Sequence, residues 1–163
     1  MQDFREIIKE IKLIIFDVDG VFTDGTVYLD ETGKEMLRFS RIDGRGIELI
    51  RNKALKTAVM SSEDSKIVEF RMKKLKIDDI LLGILGKLEE YNSLKKKYRL
   101  EDKNICFLGD DTQDLEVMRV VGFACCPANA QKEIKKICHY ISPFTGGSGF
   151  VRDVCNIILE NLP

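Results

Sequence analysis

The sequence predicts an α/β fold, in which a parallel sheet is covered by helices on both faces. Short apolar runs of strand length alternate along the chain with longer segments of helical periodicity, and the connections between them are short. Two of the apolar runs end in clusters of aspartate. Because ligands of parallel sheets bind beyond the carboxyl ends of the strands, these clusters indicate a functional site at one edge of the sheet.

The predicted strands are short apolar runs, taken here in chain order. They lie at Leu13–Val18, Thr57–Ser61, Asp79–Leu81, Ile105–Gly109, Phe123–Cys125 and Tyr140–Ile141. The predicted helices mix apolar and charged residues at roughly helical spacing. They lie at Ile47–Lys53, Ser65–Leu75, Lys87–Tyr98, Gln113–Val120, Gln131–Ile137 and Phe150–Asn161.

One segment after the first strand departs from this alternation and is typical of a β-hairpin. Thr26–Leu29 and Glu35–Phe39 flank a five-residue loop, Asp30–Lys34. The hairpin takes up about residues 25–40, at a point where a larger domain could have been inserted. We therefore expect a single domain over residues 1–163 with no separate cap domain.

Composition and charge exclude several classes of function. The 26 basic and 27 acidic side chains leave a formal charge of -1, which argues against nucleic-acid partners and against a polybasic membrane patch. The apolar runs are far shorter than the roughly 20 residues that span a bilayer, and Met1 to Lys12 has no long apolar signal core. We expect a cytoplasmic protein with no membrane partner.

The cysteines and the single histidine do not indicate a site. The five cysteines are odd in number and have no zinc-binding spacing, so we interpret them as buried thiols of a reduced protein. His139 lies near a predicted strand and is interpreted as a packed or surface imidazole. Catalytic triads that need a histidine base are thereby disfavoured.

The stretch after the first strand carries the strongest chemical signal. An apolar strand delivers Asp17 and Asp19, and Gly20 then lets the chain turn, so both carboxylates can surround one small site. Crowded carboxylates at a buried strand end need a cation, and oxygen ligands without His or Cys favour Mg²⁺. The alternative interpretation of this stretch alone is a solvated acidic turn.

Other residues at strand ends complete a pattern that suits phosphoryl transfer. Asp110, Asp111 and Asp114 follow the apolar run Ile105–Leu108 and form the second acidic cluster. Ser61 ends another strand and supplies a hydroxyl, and Lys87 begins a helix and supplies a cation. Phosphoryl transfer depends on positioning and charge neutralisation, which such a set provides.

These residues resemble the four motifs of the haloacid dehalogenase-like phosphatase superfamily, and the likeness extends over nearly the whole chain. The resemblance implies a three-layer Rossmann-like fold and places the chain near its capless branch, which includes phosphatases of 3-deoxy-manno-octulosonate 8-phosphate and of nonulosonate 9-phosphates. The matching segments are Asp17-x-Asp19-Gly20-x-x-Thr23, Ser61, Lys87, Gly109-Asp110-Asp111-x-x-Asp114, Thr23-Asp24-Gly25, Asp43-Gly44-x-Gly46-Ile47, Arg71 and Gly146-Gly147-x-Gly149.

The resemblance implies a catalytic role for each motif residue. Asp17 would attack phosphorus and form an aspartyl-phosphate, and Asp19 would act as general acid and then general base. Ser61 and Lys87 would hold the phosphoryl oxygens. The magnesium ligands would be Asp17, Asp110 and the backbone carbonyl of Asp19. The remaining motif residues would have supporting roles; these are Thr23, Asp111 and Asp114.

The resemblance also implies a homotetramer with its active sites at subunit interfaces. The hairpins would associate, and Arg71 would reach a substrate carboxylate across the interface. Gly146 and Gly147 would form a mobile lid near the substrate. The alternatives are a solvated helix face for Arg71 and a plain loop before the last helix for the two glycines.

The substrate that the resemblance implies is a small phosphorylated sugar acid with eight or nine carbons. Ser62-Glu63 follows the hydroxyl residue Ser61 where octulosonate phosphatases usually have Gly-Arg, and Glu63 and Lys74 match the nonulosonate type. Ser62, Glu63 and Lys74 are therefore predicted to contact the substrate, which favours nine carbons. The alternative is a Glu63–Lys74 surface pair without influence on specificity.

Two other functions share parts of this pattern. A receiver-type phospho-acceptor domain also combines acids, a hydroxyl and a lysine, but its acceptor lies on the third strand and it needs no counterpart of Asp19. A catalytically silent phosphatase-like module of a sialic acid or sugar nucleotide pathway is the second alternative. Such modules lose motif residues, whereas this chain keeps them all.

Overall fold

The computed structural model describes residues 4–53 and 55–162 and contains a six-stranded parallel sheet. The strand order is β5-β4-β1-β6-β7-β8, and every neighbouring pair is parallel. These strands are β1 Leu13–Phe16, β4 Lys56–Met60, β5 Asp79–Leu81, β6 Ile105–Leu108, β7 Phe123–Cys126 and β8 Tyr140–Ile141. The predicted fold class is confirmed.

Helices cover both faces of the sheet. They are α1 Arg5–Ile8, α2 Arg41–Arg51, α3 Lys66–Leu75, α4 Lys87–Tyr98, α5 Leu115–Met118, α6 Lys132–Lys135 and α7 Phe150–Asn161, with 3₁₀ turns at Asp102–Asn104 and Thr112–Asp114. Successive residues of β1 point to opposite faces and so join two separate cores. Ile14 and Phe16 pack on the α2 and α7 side, whereas Leu13 and Ile15 pack on the α4 and α5 side.

The central position of β1 determines where the site forms. All four of its residues are buried, and it pairs in register with β4 on one side and with β6 on the other. Phe16, the last residue of β1, lies opposite Val59 and Leu108. The residues that follow β1, β4 and β6 therefore emerge side by side at one edge of the sheet.

Helix α2 begins at Arg41, six residues before the predicted start at Ile47. The Ser40 hydroxyl caps it and accepts hydrogen bonds from the amides of Ile42 at 3.1 Å and Asp43 at 3.4 Å. Glycines in the first turns obscured this start, because glycine disfavours helix interiors. Packing also disfavours a side chain at Gly46, since a Cβ there would lie 3.1 Å from Cα of Arg152 on α7.

The hairpin and several element ends also differ in length from the sequence prediction. The hairpin is confirmed, but its strands, β2 Tyr28–Leu29 and β3 Glu35–Met36, have two exposed residues each. Strand β1 stops two residues before Val18, because the Val18 carbonyl turns to accept the amides of Val21, Phe22 and Thr23. The predicted α5 and α6 are shorter than expected, and the four-residue α1 was missed.

Within residues 4–53 and 55–162, none of the helices combines the length and the apolar character needed to cross a bilayer.

Candidate functional site

Asp17 lies at the centre of the site, directly after β1. Its side chain is almost fully buried, and its Oδ1 accepts a hydrogen bond of 2.7 Å from the amide of Val18. The Asp17 amide still follows the sheet and donates to the Leu108 carbonyl at 2.9 Å. The strand register therefore fixes the direction of this carboxylate.

Lys87 joins Asp17 to the second acidic cluster. Its Nζ lies 2.9 Å from Oδ1 of Asp17 and 2.6 Å from Oδ1 of Asp114, and all three side chains are buried. Burial lowers the pKa of Lys87, but the charges of Asp17 and Asp114 outweigh it and leave the pKa above its usual value. The lysine is therefore a fixed cation between two carboxylates.

Asp114 organises the loop after β6. Its Oδ2 accepts hydrogen bonds from the amides of Asp110 at 3.0 Å and Asp111 at 3.3 Å, while its Oδ1 binds Lys87. Gly109 must lack a side chain, because a Cβ would lie 2.6 Å from Asp114 Oδ2. Asp111 is more exposed and binds the amide of Thr112. This geometry suits the supporting roles predicted for Asp111 and Asp114.

Three carboxylates at this edge can hold a metal ion. Asp17, Asp110 and Asp114 each offer an oxygen, and these atoms lie within 4.8 Å of one another. Among the described residues, Oδ2 of Asp17 and Oδ1 of Asp110 are buried acceptors without a hydrogen-bond partner. A divalent cation that prefers oxygen ligands, such as Mg²⁺, fits this pair of orphaned oxygens.

The pKa values of these carboxyls show the same need for a cation. Burial, followed by repulsion from Asp114, raises the pKa of Asp17 to about 8 and that of Asp110 to about 7. The expected ligands were Asp17, Asp110 and the carbonyl of Asp19, whereas the structure groups Asp114 with the first two. Because both oxygens of Asp114 are already engaged, Asp17 and Asp110 remain the better ligands, and the role of the Asp19 carbonyl stays a prediction.

Asp19 lies in the turn after β1. Its Oδ1 accepts a hydrogen bond of 3.2 Å from Thr23, whose hydroxyl in turn accepts from the amides of Gly20 and Gly25. Gly20 has a φ of +76°, and a Cβ there would lie 2.0 Å from Oδ2 of Asp110. Burial, followed by the charge of Glu63, raises the pKa of Asp19 above its usual value.

The loop after β4 brings the predicted hydroxyl to the same edge. Ser61 is buried, and its Oγ accepts from the amide of Glu63 at 3.1 Å. Ser62 is exposed and donates to Oε1 of Gln113 at 3.0 Å, which bridges the loops after β4 and β6. Glu63 is also exposed, close enough to Asp19 to affect its pKa.

Two predicted substrate residues lie away from this cluster within the chain. Lys74 is exposed near the far end of α3, a helix about 15 Å long by its ten residues, so it does not pair with Glu63 before the start of that helix. Arg71 donates to the Ser40 carbonyl at 3.0 Å, with its guanidinium over the Phe39 ring. The solvated helix face considered for Arg71 is therefore wrong.

The predicted mobile lid is a packed segment. Gly146 and Gly147 are buried, and the Gly147 amide donates to the Val21 carbonyl at 2.9 Å. A Cβ on Gly146 would lie 1.8 Å from the Gly20 carbonyl oxygen, so this segment lies directly on the turn that carries Asp19. Substrate contact by the two glycines stays a prediction.

Sequence reasoning missed two residues that border the site. Arg38, on the chain that leaves the hairpin, donates to Oδ2 of Asp24 at 3.2 Å and to the Ser148 hydroxyl at 3.1 Å. Asn129 accepts from the amide of Gly146 at 3.1 Å. Both act through contacts between segments distant in sequence, which no local motif reveals.

Comparison with known proteins gives one family match and many close relatives. The family model described as haloacid dehalogenase-like hydrolase matches residues 51–152. The 3-deoxy-D-manno-octulosonate 8-phosphate phosphatase KdsC of Escherichia coli strain K12 is 33% identical over 151 residues, which cover 93% of this chain and 80% of that protein.

Solved structures agree over almost the whole chain. A probable YrbI family phosphatase from Pseudomonas syringae pv. phaseolica 1448a has a TM-score of 0.96 at 38% identity, covering 99% of this chain and 92% of that one. The 3-deoxy-D-manno-octulosonate 8-phosphate phosphatase from Moraxella catarrhalis has a TM-score of 0.96 at 33% identity, covering 99% and 93%. That structure is a complex with a magnesium ion, a phosphate ion and a KDO molecule.

The buried lysine yields a first prediction. Lys87→Met leaves Asp17 and Asp114 facing each other without their cation, so we expect the metal-free protein to lose about 3–5 kcal/mol of its free energy of unfolding near pH 8. Lys95→Met is the control, because Lys95 forms a partly exposed pair with Asp102 worth about 1 kcal/mol or less. Urea unfolding in EDTA measures both.

The loss should depend on pH in a defined direction. The pKa of Asp17 is about 8 in the folded wild type, above the ordinary 3.8, so the folded state binds more protons and its stability falls as pH rises between these values. Removal of Lys87 raises this carboxyl pKa further. The penalty of Lys87→Met should therefore be smallest near pH 4 and grow toward pH 8; equal losses in both variants, or the opposite trend, would contradict the prediction.

Proposed function

We propose that this chain, which belongs to the haloacid dehalogenase-like hydrolase family and is a phosphatase of a sugar phosphate, acts with magnesium through an aspartyl-phosphate on Asp17. The observation that supports this most directly is the buried Asp17 carboxylate: Lys87 and the Val18 amide bind its Oδ1, and its Oδ2 has no hydrogen-bond partner among the residues that the structure describes. The phosphatase relatives span nearly the whole chain, which leaves the silent-module alternative without support.

The nucleophilic step follows from the two different oxygens of Asp17. Lys87 and Val18 bind Oδ1, whereas Oδ2 has no hydrogen-bond partner among the described residues. In the proposed reaction, one oxygen of this carboxylate forms a bond to phosphorus as the bond from phosphorus to the sugar oxygen breaks, and the other oxygen would bind the metal ion. The product is an acyl phosphate on Asp17.

Asp19 is proposed to move the proton. Its raised pKa, caused first by burial and then by the charge of Glu63, favours a protonated carboxyl that can donate to the departing sugar oxygen. The resulting carboxylate then accepts a proton from the water that attacks the phosphoryl group of the intermediate. Thr23 keeps the side chain of Asp19 oriented through both steps.

Charge neutralisation is shared between the chain and its metal. Ser61 Oγ and Lys87 Nζ are proposed to bind the transferring phosphoryl oxygens. Asp17, Asp110 and the Asp19 carbonyl would hold Mg²⁺, which supplies positive charge next to the phosphoryl group. Lys87 therefore has two roles, since it also neutralises Asp17 and Asp114 in the resting site.

The proposed substrate is a phosphorylated 2-keto-3-deoxy sugar acid. Two of the relatives named above, from Escherichia coli and Moraxella catarrhalis, are 3-deoxy-D-manno-octulosonate 8-phosphate phosphatases, which supports the class. Within this class, we favour the nonulosonate 9-phosphates. Glu63 is exposed and near enough to Asp19 to affect its pKa, so its carboxylate can accept hydrogen bonds from additional sugar hydroxyls. Lys74 no longer supports this preference within one subunit, since it lies at the far end of α3.

The protein is proposed to act as a homotetramer that is held together by its hairpins. Val27, Tyr28, Leu29 and Met36 are large apolar side chains on this hairpin, and about half or more of each is exposed. Such a cluster on two short strands fits burial against other copies of the chain. The hairpin leads into Arg38, which binds Asp24 beside the site, so a neighbouring subunit packed here would wall off the open edge.

The nucleophile is tested by replacing Asp17. We expect Asp17→Asn to lower kcat for p-nitrophenyl phosphate by about 10³-fold or more, because the amide cannot form the acyl phosphate. Asp78→Asn is the matched control, since Asp78 accepts hydrogen bonds from Thr57 near the amino ends of the strands, away from the carboxyl ends where Asp17 lies. Wild-type activity that persists in EDTA, or substantial activity of Asp17→Asn, would sink the mechanism.

The substrate is tested with a panel of phosphates. We expect kcat/KM for octulosonate 8-phosphate and nonulosonate 9-phosphates to exceed that for arabinose 5-phosphate and glucose 6-phosphate by about 10²-fold, a gap typical of sites that hydrogen-bond the substrate. Glu63→Gln should lower the ratio of kcat/KM for nonulosonate 9-phosphates to that for octulosonate 8-phosphate, a ratio in which any common effect of the lost charge on Asp19 cancels. Equal, slow turnover of the whole panel would refute the sugar-acid class and leave the phosphatase chemistry intact.

The assembly is tested by a charge in the hairpin. Leu29→Glu places a carboxylate in the proposed interface, so sedimentation should detect a smaller species with a native circular dichroism spectrum and a reduced kcat/KM for sugar-acid phosphates. Val120→Glu, at an exposed apolar residue outside the hairpin, is the control and should keep the wild-type mass. A monomeric wild type would disprove the proposal.

A further inference from the structure

Asp43 is a fully buried carboxylate that has no part in the cluster around Asp17. It lies in the first turn of α2, beside the capping Ser40, yet its carboxylate also accepts hydrogen bonds from two amides at the start of α7. Oδ1 accepts from the amide of Arg152 at 2.9 Å, and Oδ2 accepts from the amide of Gly149 at 3.3 Å. Asp43 therefore caps a helix that is about 100 residues further along the chain.

Helix α7 needs a cap from elsewhere because of its own first residue. Its N-cap, Gly149, has no side chain and adopts a φ of +111°, a conformation that L side chains rarely adopt. A residue with its own capping group is thus disfavoured at this position. The close approach of α2 and α7 at Gly46 brings Asp43 within reach of the open amides.

The segment that Asp43 fixes lies on the turn after the nucleophile. We call residues 146–149 the glycine strap. Its Gly147 amide donates to the Val21 carbonyl, and a Cβ on Gly147, whose φ is +63°, would lie 2.7 Å from the carbonyl carbon of Thr23. Gly146 touches the Gly20 carbonyl even more closely. The strap therefore supports the backbone from which Asp19 and Thr23 project.

A second contact ties the strap to the same turn. Arg38 joins the hydroxyl of Ser148 in the strap to the carboxylate of Asp24 at the end of the turn. The turn is therefore attached to the strap twice, through Arg38 and through the hydrogen bond from Gly147 to Val21. The strap itself is held on α7 by the backbone of the helix and by the two hydrogen bonds to Asp43.

From these contacts we infer that Asp43 is a positioning residue for Asp19: it anchors the start of α7, and through the glycine strap it holds the turn that carries the general acid. The inference rests on the proposed function in one respect, the acid/base role of Asp19. Ser61 and Lys87 lie on other elements, after β4 and at the start of α4, so loss of Asp43 should affect proton transfer more than phosphate binding.

Asp43→Asn tests this role with little change in side-chain size. The amide keeps one acceptor oxygen and loses the other, which releases one of the two amides at the start of α7. We expect kcat for p-nitrophenyl phosphate to fall about 10- to 100-fold, a loss typical of a misplaced catalytic group, while KM stays within about threefold. Asp78→Asn, which also loses a carboxylate that accepts a backbone amide, should keep the wild-type kcat.

The split between kcat and KM separates positioning from mere stability. Both variants are first unfolded in urea, and kinetics are measured well below each melting temperature. A folded Asp43→Asn protein with wild-type kcat overturns the inference, and so does an equal fall in kcat for Asp78→Asn. If the wild type itself has no magnesium-dependent activity, the proposed function fails, and the strap is then judged by hydrogen exchange alone.

Hydrogen exchange supplies that second measurement, and its first comparison uses the wild type alone, so it does not need a folded variant. In the wild type, the amides of Gly147 and Arg152 should exchange with the same opening free energy, because the strap and the start of α7 open as one unit. In Asp43→Asn, exchange of residues 20–25 should accelerate along with that of residues 146–152. Separate opening of the two wild-type amides, or unchanged protection of residues 20–25 in the variant, overturns the inference.

Discussion

The structure depends on the burial of several carboxylates at one edge of a parallel sheet. Buried carboxylates are costly unless cations and hydrogen-bond donors surround them. Lys87 supplies one positive charge between Asp17 and Asp114, and the amides of Val18, Asp110 and Asp111 supply donors. The oxygens left over on Asp17 and Asp110 define where a metal ion would stabilise the fold and prepare the reaction.

The sequence was sufficient for the parts of the site that lie at strand ends. Alternating apolar runs predict parallel strands, and parallel strands bring their carboxyl ends together, so Asp17, Ser61 and Asp110 could be grouped before any coordinates were known. Their neighbours in the sheet, β1 with β4 and β6, confirm the reasoning. Lys87 could also be predicted from the sequence, because it begins a helix shortly after a strand and after Gly83 and Gly86.

The remainder could not be predicted because it depends on contacts between distant segments. The start of α2 was placed too late, since Gly44 and Gly46, which lie close to α3 and α7 respectively, weaken the local helix signal. For the same reason, Gly146 and Gly147 suggested a mobile lid, although they are small in order to lie on the Gly20 turn. In each case the glycine reflects a lack of space, which composition alone cannot distinguish from flexibility.

The acidic side chains near Asp19 affect how the site can bind an anionic substrate. Glu63 from the loop after β4 and Glu35 from the hairpin both raise the pKa of Asp19, after the larger effect of burial, so two exposed carboxylates face the general acid. A phosphorylated sugar acid must approach this rim with its own negative charges. Lys87 and the metal ion can neutralise the phosphate, but neither is placed to neutralise a distant carboxylate. Under the proposed function, recognition of that second anion requires a cation from outside the cluster, and Arg71, which binds the Ser40 carbonyl in its own chain, would supply it from a neighbouring subunit.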